Sequence, residues 1–342
     1  MCRHSKYSKD SRHSKDSFFL VKILITGATG FVGTHLCEYL VQQGHVVHGT
    51  FLYQDELERF PETLKSRITL HTCDLTDVEQ VRHVTAQTDF EQVYHLAAMS
   101  SVHQSWKNGQ ESVLRVNLFG WLNLLESLHE TCPDARILMV SSAEVYGIVP
   151  EDRQPVAETF PLRPINPYAN SKAAQETFCY QYIHRYNSQI VMVRAFNHTG
   201  AGQSSNFVCS DFARQIAAIE QGRQHPVMSV GNLEARRDFS DVRDIVRAYS
   251  LALEYCPIGT PVNVASGSAW SIRQALDILL QHSQVVIDVQ QDPARLRPSD
   301  VSLMLGDYTL LHQYTGWRPE VPFEETLQSV LEYWRTHNTA TD

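Results

Sequence analysis

Tyr168 and Lys172 stand four residues apart in the segment Asn166-Pro167-Tyr168-Ala169-Asn170-Ser171-Lys172. On a helix that spacing puts both side chains on one face. A lysine charge beside a phenol lowers its pKa from about 10. A tyrosine tuned in this way can exchange a proton near neutral pH. The lysine can also hold a nicotinamide ribose. Upstream, Ser142 in Val140-Ser141-Ser142-Ala143-Glu144 can donate a hydrogen bond to a reacting oxygen, and Asn117 could order the lysine through a water or a backbone contact. The chemistry implied is redox at a carbon that bears oxygen, with a proton moving as a hydride does. Alone, Tyr-x-x-x-Lys is common on surface helices. Its weight here comes from Ser142 and from a glycine turn earlier in the chain. Glu144 leaves two roles open: a base for proton abstraction, or a polar group that orients ligand or backbone.

The glycine turn is Thr26-Gly27-Ala28-Thr29-Gly30-Phe31-Val32-Gly33. It follows a short apolar run, Phe18 to Thr26, and precedes a helical pattern from Thr34 to Gln43. In a strand–turn–helix setting Gly27 permits the tight turn, Gly30 lets the backbone approach a pyrophosphate, and Gly33 lets the helix pack on the sheet. Phe31 and Val32 lie in the same cradle. The second strand ends in Gly49-Thr50-Phe51-Leu52-Tyr53, which has neither an acidic residue for ribose hydroxyls nor an arginine for a 2′-phosphate. Thr50 is the ribose or phosphate contact expected there. Asp74 and Leu75 are placed for the adenine edge, with a helix cap as the alternative for Asp74. NADH and NADPH both remain open.

These groups need a scaffold. Strands are expected at His45–Thr50, Ile68–Cys73, Gln92–Ala97, Arg136–Val140 and Gln189–Arg194, with helices at 77–87, 117–130 and 168–186. Alternation of this kind implies an α/β, Rossmann-type parallel sheet with helices on both faces. Beyond Phe196 the pattern loosens, with an irregular charged segment at 231–240 and helices at 212–221, 241–253, 271–281, 301–312 and 323–336. The expected division is a cofactor domain over 18–195, to which 241–265 returns, and a smaller mixed α/β substrate domain over 196–240 and 266–338. Residues 1–17, which carry Arg-His-Ser-Lys twice, read as a disordered tail.

The chain has 342 residues, enough for about two domains. Its net charge of −9 does not favour a nucleic-acid partner. Seven cysteines without a Cys-x-x-Cys pair suggest neither a disulfide framework nor a zinc knuckle, and fit the cytoplasm. Apolar runs are too short for a membrane span. No His-Glu-x-x-His cluster occurs, so no metal is expected.

The glycine turn, His95-Leu96-Ala97-Ala98, Asn117, Ser142 to Gly147 and Tyr168 to Lys172 resemble the extended short-chain dehydrogenase/reductase family in its sugar-nucleotide branch, over about residues 20–336. Within it, Arg194-Ala195-Phe196-Asn197-His198-Thr199-Gly200-Ala201-Gly202-Gln203 and the segment Gly231 to Asp244 resemble GDP-6-deoxy-D-mannose reductases, as do Arg297-Pro298-Ser299-Asp300 and Thr315-Gly316-Trp317. Ala143 and Ala201 depart from that pattern. The resemblance implies NAD(P)H-dependent reduction of the 4-keto group of GDP-4-keto-6-deoxy-D-mannose to GDP-D-rhamnose. It implies cofactor contacts at Leu96, Ala97 and Ala98. It places Asn197 against the sugar or its phosphates, with Arg237 and Arg297 at the pyrophosphate. An ion pair of Arg237 with Asp238 or Asp241 is the competing use. Ser100, Ser101 and Glu144 could touch the hexose. The resemblance also implies a homodimer through helices at 117–130 and 168–186.

The related GDP-mannose 4,6-dehydratases carry a glutamate base where Glu144 stands. They follow the asparagine–histidine pair with a different segment and tend to have an arginine after the second strand, which this chain lacks at 50–53. The other readings are a sugar-nucleotide 4-epimerase and, outside catalysis, a dinucleotide-binding sensor or scaffold. Ser142, Tyr168 and Lys172 together argue against a sensor, which needs no proton donor.

Overall fold

The computed structural model describes residues 20–295 and 301–337. The tail at 1–17 and Arg297 lie outside them. Six strands come first: β1 (Lys22–Thr26), β2 (Val46–Phe51), β3 (Thr69–Thr72), β4 (Gln92–His95), β5 (Arg136–Ser142) and β6 (Gln189–Ala195). Then follow β7 (Asn197–Thr199), β8 (Val227–Val230), β9 (Arg236–Asp241), β10 (Pro261–Val264), β11 (Ala269–Ser271), β12 (Asp288–Gln291) and β13 (Leu303–Met304). The large sheet is parallel throughout, in the order β10-β6-β5-β4-β1-β2-β3. The strand order reverses between β1 and β4, so a crevice opens at their carboxyl ends.

Helices cover both faces, which is why β1, β5 and β6 read as nearly continuous apolar runs. On one face Leu36, Leu40, Ile245 and Tyr249 pack on Ile23, Ile25 and Val193. On the other, Trp121, Leu124, Leu128 and Tyr182 pack on Leu24, Val93 and Met139. The smaller unit has its own core, with Phe212, Ile216, Leu276, Leu327 and Trp334 buried together. β9 is its centre, pairing with β7, β11 and β13. Among the described residues no helix is long and apolar enough to cross a membrane.

Some elements differ from the sequence reading. The first helix spans Phe31–Gln42 and begins directly at the glycine turn. The segment 231–240, expected to be irregular, holds all but the last residue of β9, which has Phe239 as its one apolar residue and buries Asp238, Ser240 and Asp241. Residues 301–312 hold β13 and only the start of the helix Thr309–Thr315. A helix over Val102–Leu114, broken at Gly109 (φ 78), went unrecognised because polar residues dominate it. A π-turn at Arg115–Phe119 then leads into the helix Gly120–Thr131.

The helix that carries Tyr168 spans Pro167–Tyr186. Asn166 caps it by accepting from the Ala169 amide at 2.8 Å, and Pro167 occupies its first turn. Asn187, in the left-handed region at φ 55, ends it. Glu176, one turn beyond Lys172, is buried and takes a two-pronged contact from buried Arg194 of β6, at 2.7 Å and 3.0 Å. Ser141 donates to the same carboxylate at 2.5 Å, and Arg194 also donates to the Tyr146 hydroxyl at 3.0 Å. Removing one charge strands the other in a dry interior. Glu176→Gln is therefore expected to lower the unfolding free energy by about 3–5 kcal/mol, read from urea titration. A change below about 1 kcal/mol would show that the pair does not anchor this helix.

Candidate active site

The carboxyl ends of the central strands face the smaller unit across a cleft of about 1650 Å³. One small-molecule site takes about 300–1,000 Å³, so this cleft has room for a cofactor and a substrate together.

The glycine turn forms its floor. Gly27 has φ 72, which a residue with a side chain rarely adopts. A β-carbon on Gly33 would sit 2.2 Å from the Gly27 carbonyl oxygen, so only glycine lets this helix approach β1. Thr50 accepts from the Gly27 amide at 3.1 Å through its hydroxyl, and its carbonyl accepts from Ala28 at 2.9 Å. Thr50 therefore braces the turn as well as lining the cleft. The helix Phe31–Gln42 starts at Gly30 with no side-chain cap. Its first amides and the positive end of its dipole suit a diphosphate. Gly27, Gly30, Phe31, Val32, Gly33, Asp74, Leu75, Leu96, Ala97 and Ala98 all line the cleft. Asp74 also closes a local turn, accepting from the Thr76 amide and hydroxyl at 2.8 Å each, whereas the helix cap is Asp77. The residues present thus fit a dinucleotide laid across the strand ends.

Tyr168 sits in the first turn of its helix beside the end of β5, where Ser142 stands. Burial pushes the phenol up to about 12, while a hydrogen bond with Ser142 pulls the other way and Glu144 adds to the rise. Lys172 is buried; its ammonium donates to the Val140 carbonyl at 2.8 Å and lies 6.0 Å from the centre of the Tyr168 ring. Desolvation draws its pKa down to about 8. The expected lowering of the tyrosine by the lysine is thus not what this arrangement produces: the ammonium is turned to a carbonyl, and desolvation of the phenol dominates. At neutral pH the pair is a protonated phenol and a cationic lysine.

Asn117 is buried in the π-turn. It accepts from the Met99 amide at 2.8 Å and donates to the Ser171 hydroxyl at 2.9 Å. Its carbonyl, released from the regular helical ladder, accepts from Gln175 at 2.6 Å. Its hold on the helix thus runs through the neighbours of Lys172. Glu144 lines the cleft and accepts from the Asn166 side-chain amide at 2.9 Å. The residue that caps the tyrosine helix therefore also orients Glu144.

The opposite wall belongs to the smaller unit. Asn197, exposed on β7, and Arg237 on β9 line the cleft, as do Ser100 and Ser101. Arg237 donates to the Val301 carbonyl at 2.6 Å. Asp238 is instead held by Ser266, Gly267 and Gly306, and Asp241 by Arg243 and Thr326. Sequence reading missed Arg214 and Arg295, which line this wall and flank Asp211 at 3.0 Å and 2.6 Å. It also missed Trp106 and Glu56, both at the cleft. No local pattern marks them, because residues far apart in the chain build this surface.

The profile of the family described as GDP-mannose 4,6 dehydratase matches residues 24–330. A GDP-6-deoxy-D-mannose reductase of Pseudomonas aeruginosa is 33% identical over 92% of this chain and 97% of its own length. A GDP-mannose 4,6-dehydratase of Vibrio cholerae is 28% identical over 92% and 94%. Among solved structures, the P. aeruginosa RMD complexed with NADPH superposes with a TM-score of 0.81 at 32% identity, covering 92% of this chain and 99% of that one. A Thermus thermophilus UDP-glucose 4-epimerase in complex with NAD gives 0.81 at 27% identity, covering 93% and 100%. With the glycine turn, the serine, the tyrosine and the lysine gathered on one cleft, this chain belongs to the GDP-mannose 4,6-dehydratase family of extended short-chain dehydrogenases/reductases, as an NAD(P)-dependent nucleotide-sugar oxidoreductase.

Proposed function

We propose that this protein reduces the 4-keto group of GDP-4-keto-6-deoxy-D-mannose, using NADPH or NADH, to give GDP-D-rhamnose. The observation that carries the reading is the gathering of Ser142, Tyr168 and Lys172 on one cleft in a chain similar over nearly its whole length to a GDP-6-deoxy-D-mannose reductase. Ketone reduction needs a proton donor beside the reacting oxygen, a role for which Tyr168 is placed. The reduced nicotinamide supplies the hydride. Tyr168 gives its proton to the sugar oxygen as charge develops there, and Ser142 holds that oxygen. The charge of Lys172 stabilises the tyrosinate that remains. Arg237, Arg214 and Arg295 form a cationic wall suited to the diphosphate of a GDP-sugar. Arg297 is proposed to join them. Asn197, Ser100, Ser101 and Glu144 face the hexose. The similarity to a GDP-6-deoxy-D-mannose reductase across nearly the whole chain supports the same substrate. Glu144, which lines the cleft close to Ser142, is the observation that favours a 4,6-dehydratase instead.

The proposed division into a cofactor domain (18–195 with 241–265) and a substrate domain (196–240 with 266–338) is supported by the pairing of β10 with β6. A cytoplasmic setting is proposed from the six free, buried thiols of the described residues. A homodimer is proposed from aromatics left outside on the helical elements expected to pair: Phe119 is 57% exposed and Tyr180 47%.

Incubated with GDP-4-keto-6-deoxy-D-mannose, the protein is expected to consume reduced cofactor at 340 nm and to yield a product two hydrogens heavier. Tyr168→Phe should lower kcat by about 100-fold or more. Loss of water from GDP-D-mannose without net cofactor consumption would establish the dehydratase. The kcat/KM for reduced cofactor, which reports the free enzyme, is expected to fall as pH rises through about 8, where Lys172 loses its proton and Tyr168 keeps its own. Lys172→Arg should move that limb upward; an unmoved limb assigns it to another group. Sedimentation should show a dimer that Phe119→Glu with Tyr180→Glu converts to monomer. A monomeric wild type would remove the dimer proposal.

A further inference from the structure

Beyond the glycine turn the cleft continues over the ends of β2 and β3, the place a Rossmann sheet gives to the adenosine half of a dinucleotide. Here the wall is made by Thr29, Leu52, Tyr53, Glu56, Asp74 and Thr76. The short helix Gln54–Arg59 turns the chain back, so Glu56 returns its carboxylate to the end of β2. One oxygen, Oε2, accepts from the Thr29 hydroxyl at 2.9 Å and from the Leu52 amide at 3.2 Å. The first donor belongs to the glycine turn and the second to the strand end. A carboxylate is thus tied between the two segments that embrace an adenosine ribose.

The neighbouring charges have the same sign. Asp74, at the end of β3, lines the same part of the cleft. None of the described residues that line it from the glycine turn or from the ends of β2 and β3 is basic. Arg59, on the same short helix, is paired with Asp55 at 2.8 Å, and Arg115, which reaches the cleft from the helical side, is paired with Glu111 at 3.1 Å. A ribose with free hydroxyls can donate hydrogen bonds to a carboxylate. A 2′-phosphate cannot donate in its dianionic form, and it would bring two further negative charges against Glu56 and Asp74.

We infer that Glu56 selects the cofactor, by accepting from the adenosine ribose hydroxyls and repelling a 2′-phosphate, so that the protein prefers NADH to NADPH. The inference rests on the dinucleotide reading of the cleft and is independent of which sugar nucleotide is reduced. An acidic residue inside β2 or directly at its end would have shown it in the sequence. Here the residue lies five positions past Phe51, and only the turn of the following helix brings it back.

The test is equilibrium binding of NADH and of NADPH to the purified full-length protein without sugar substrate, followed by quenching of tryptophan fluorescence and by calorimetry. Wild type is expected to bind NADH about tenfold or more tightly than NADPH, with the gap narrowing as salt screens the repulsion. Glu56→Gln keeps an acceptor for Thr29 and Leu52 but removes the charge. It should tighten NADPH several-fold, weaken NADH several-fold through loss of the charged acceptor, and flatten the salt dependence. Thr29→Val, which frees the carboxylate, should shift the ratio in the same direction by less. Wild type binding NADPH as tightly as NADH would overturn the inference, as would an unchanged ratio in Glu56→Gln that still binds NADH. Binding of neither cofactor would overturn it together with the dinucleotide reading, whereas a clear NADH preference without turnover of the keto sugar would sink the proposed substrate alone.

Discussion

The contact of Glu176 with Arg194 joins the helix that carries Tyr168 and Lys172 to the sheet strand beside the one that carries Ser142. Two parallel N–H···O bonds fix the helix in rotation as well as in position, which a single apolar contact would not do. The cluster extends to Ser141, one residue before Ser142, and to Tyr146, just after it. Tyr146 in turn donates to Asn263 on β10 at 2.7 Å, and Asn263 donates to the Val156 carbonyl at 2.8 Å. Three strands, the long helix and the loop after β5 therefore share one buried polar network. Such a network is costly to leave half satisfied, and this gives the serine–tyrosine geometry a single well-defined solution.

A second set of contacts acts at the other end of the same helix. Asn166 caps the helix with its carbonyl oxygen and holds Glu144 with its amide nitrogen. Asn117 reaches Ser171 and Gln175 from the π-turn. The tyrosine and lysine are thus held from the cap, from the side and from below. The electrostatic outcome follows from this enclosure. Desolvation raises the phenol and lowers the ammonium, so burial favours the neutral form of each.

Asp238 couples the two halves of the cleft. It sits on β9 of the smaller unit and accepts from Ser266 and Gly267, just past β10 of the large sheet, and from Gly306 past β13. Burial pushes its carboxyl up to about 6 in spite of these bonds. The wall that presents Arg237 is in this way pinned to the sheet that presents Tyr168.

The sequence alone determined the parallel sheet, the glycine turn and the identity of the serine, tyrosine and lysine, because those depend on short periodicities and on residues needed at fixed local stations. Gly27 and Gly33 are legible for that reason: each answers a constraint set within eight residues. Tertiary structure decided the rest. β9 was hidden because its charged residues are satisfied by partners from distant loops, as Asp238 is. Arg295 joins Arg214 on the cleft wall only because two segments eighty-four residues apart close on Asp211. Glu56 reaches the cleft beside the glycine turn only through a turn back to Thr29. The direction of the tyrosine's pKa was likewise beyond sequence spacing: four residues on a helix place a lysine near a phenol, but burial and the Val140 carbonyl decide which way each proton is held.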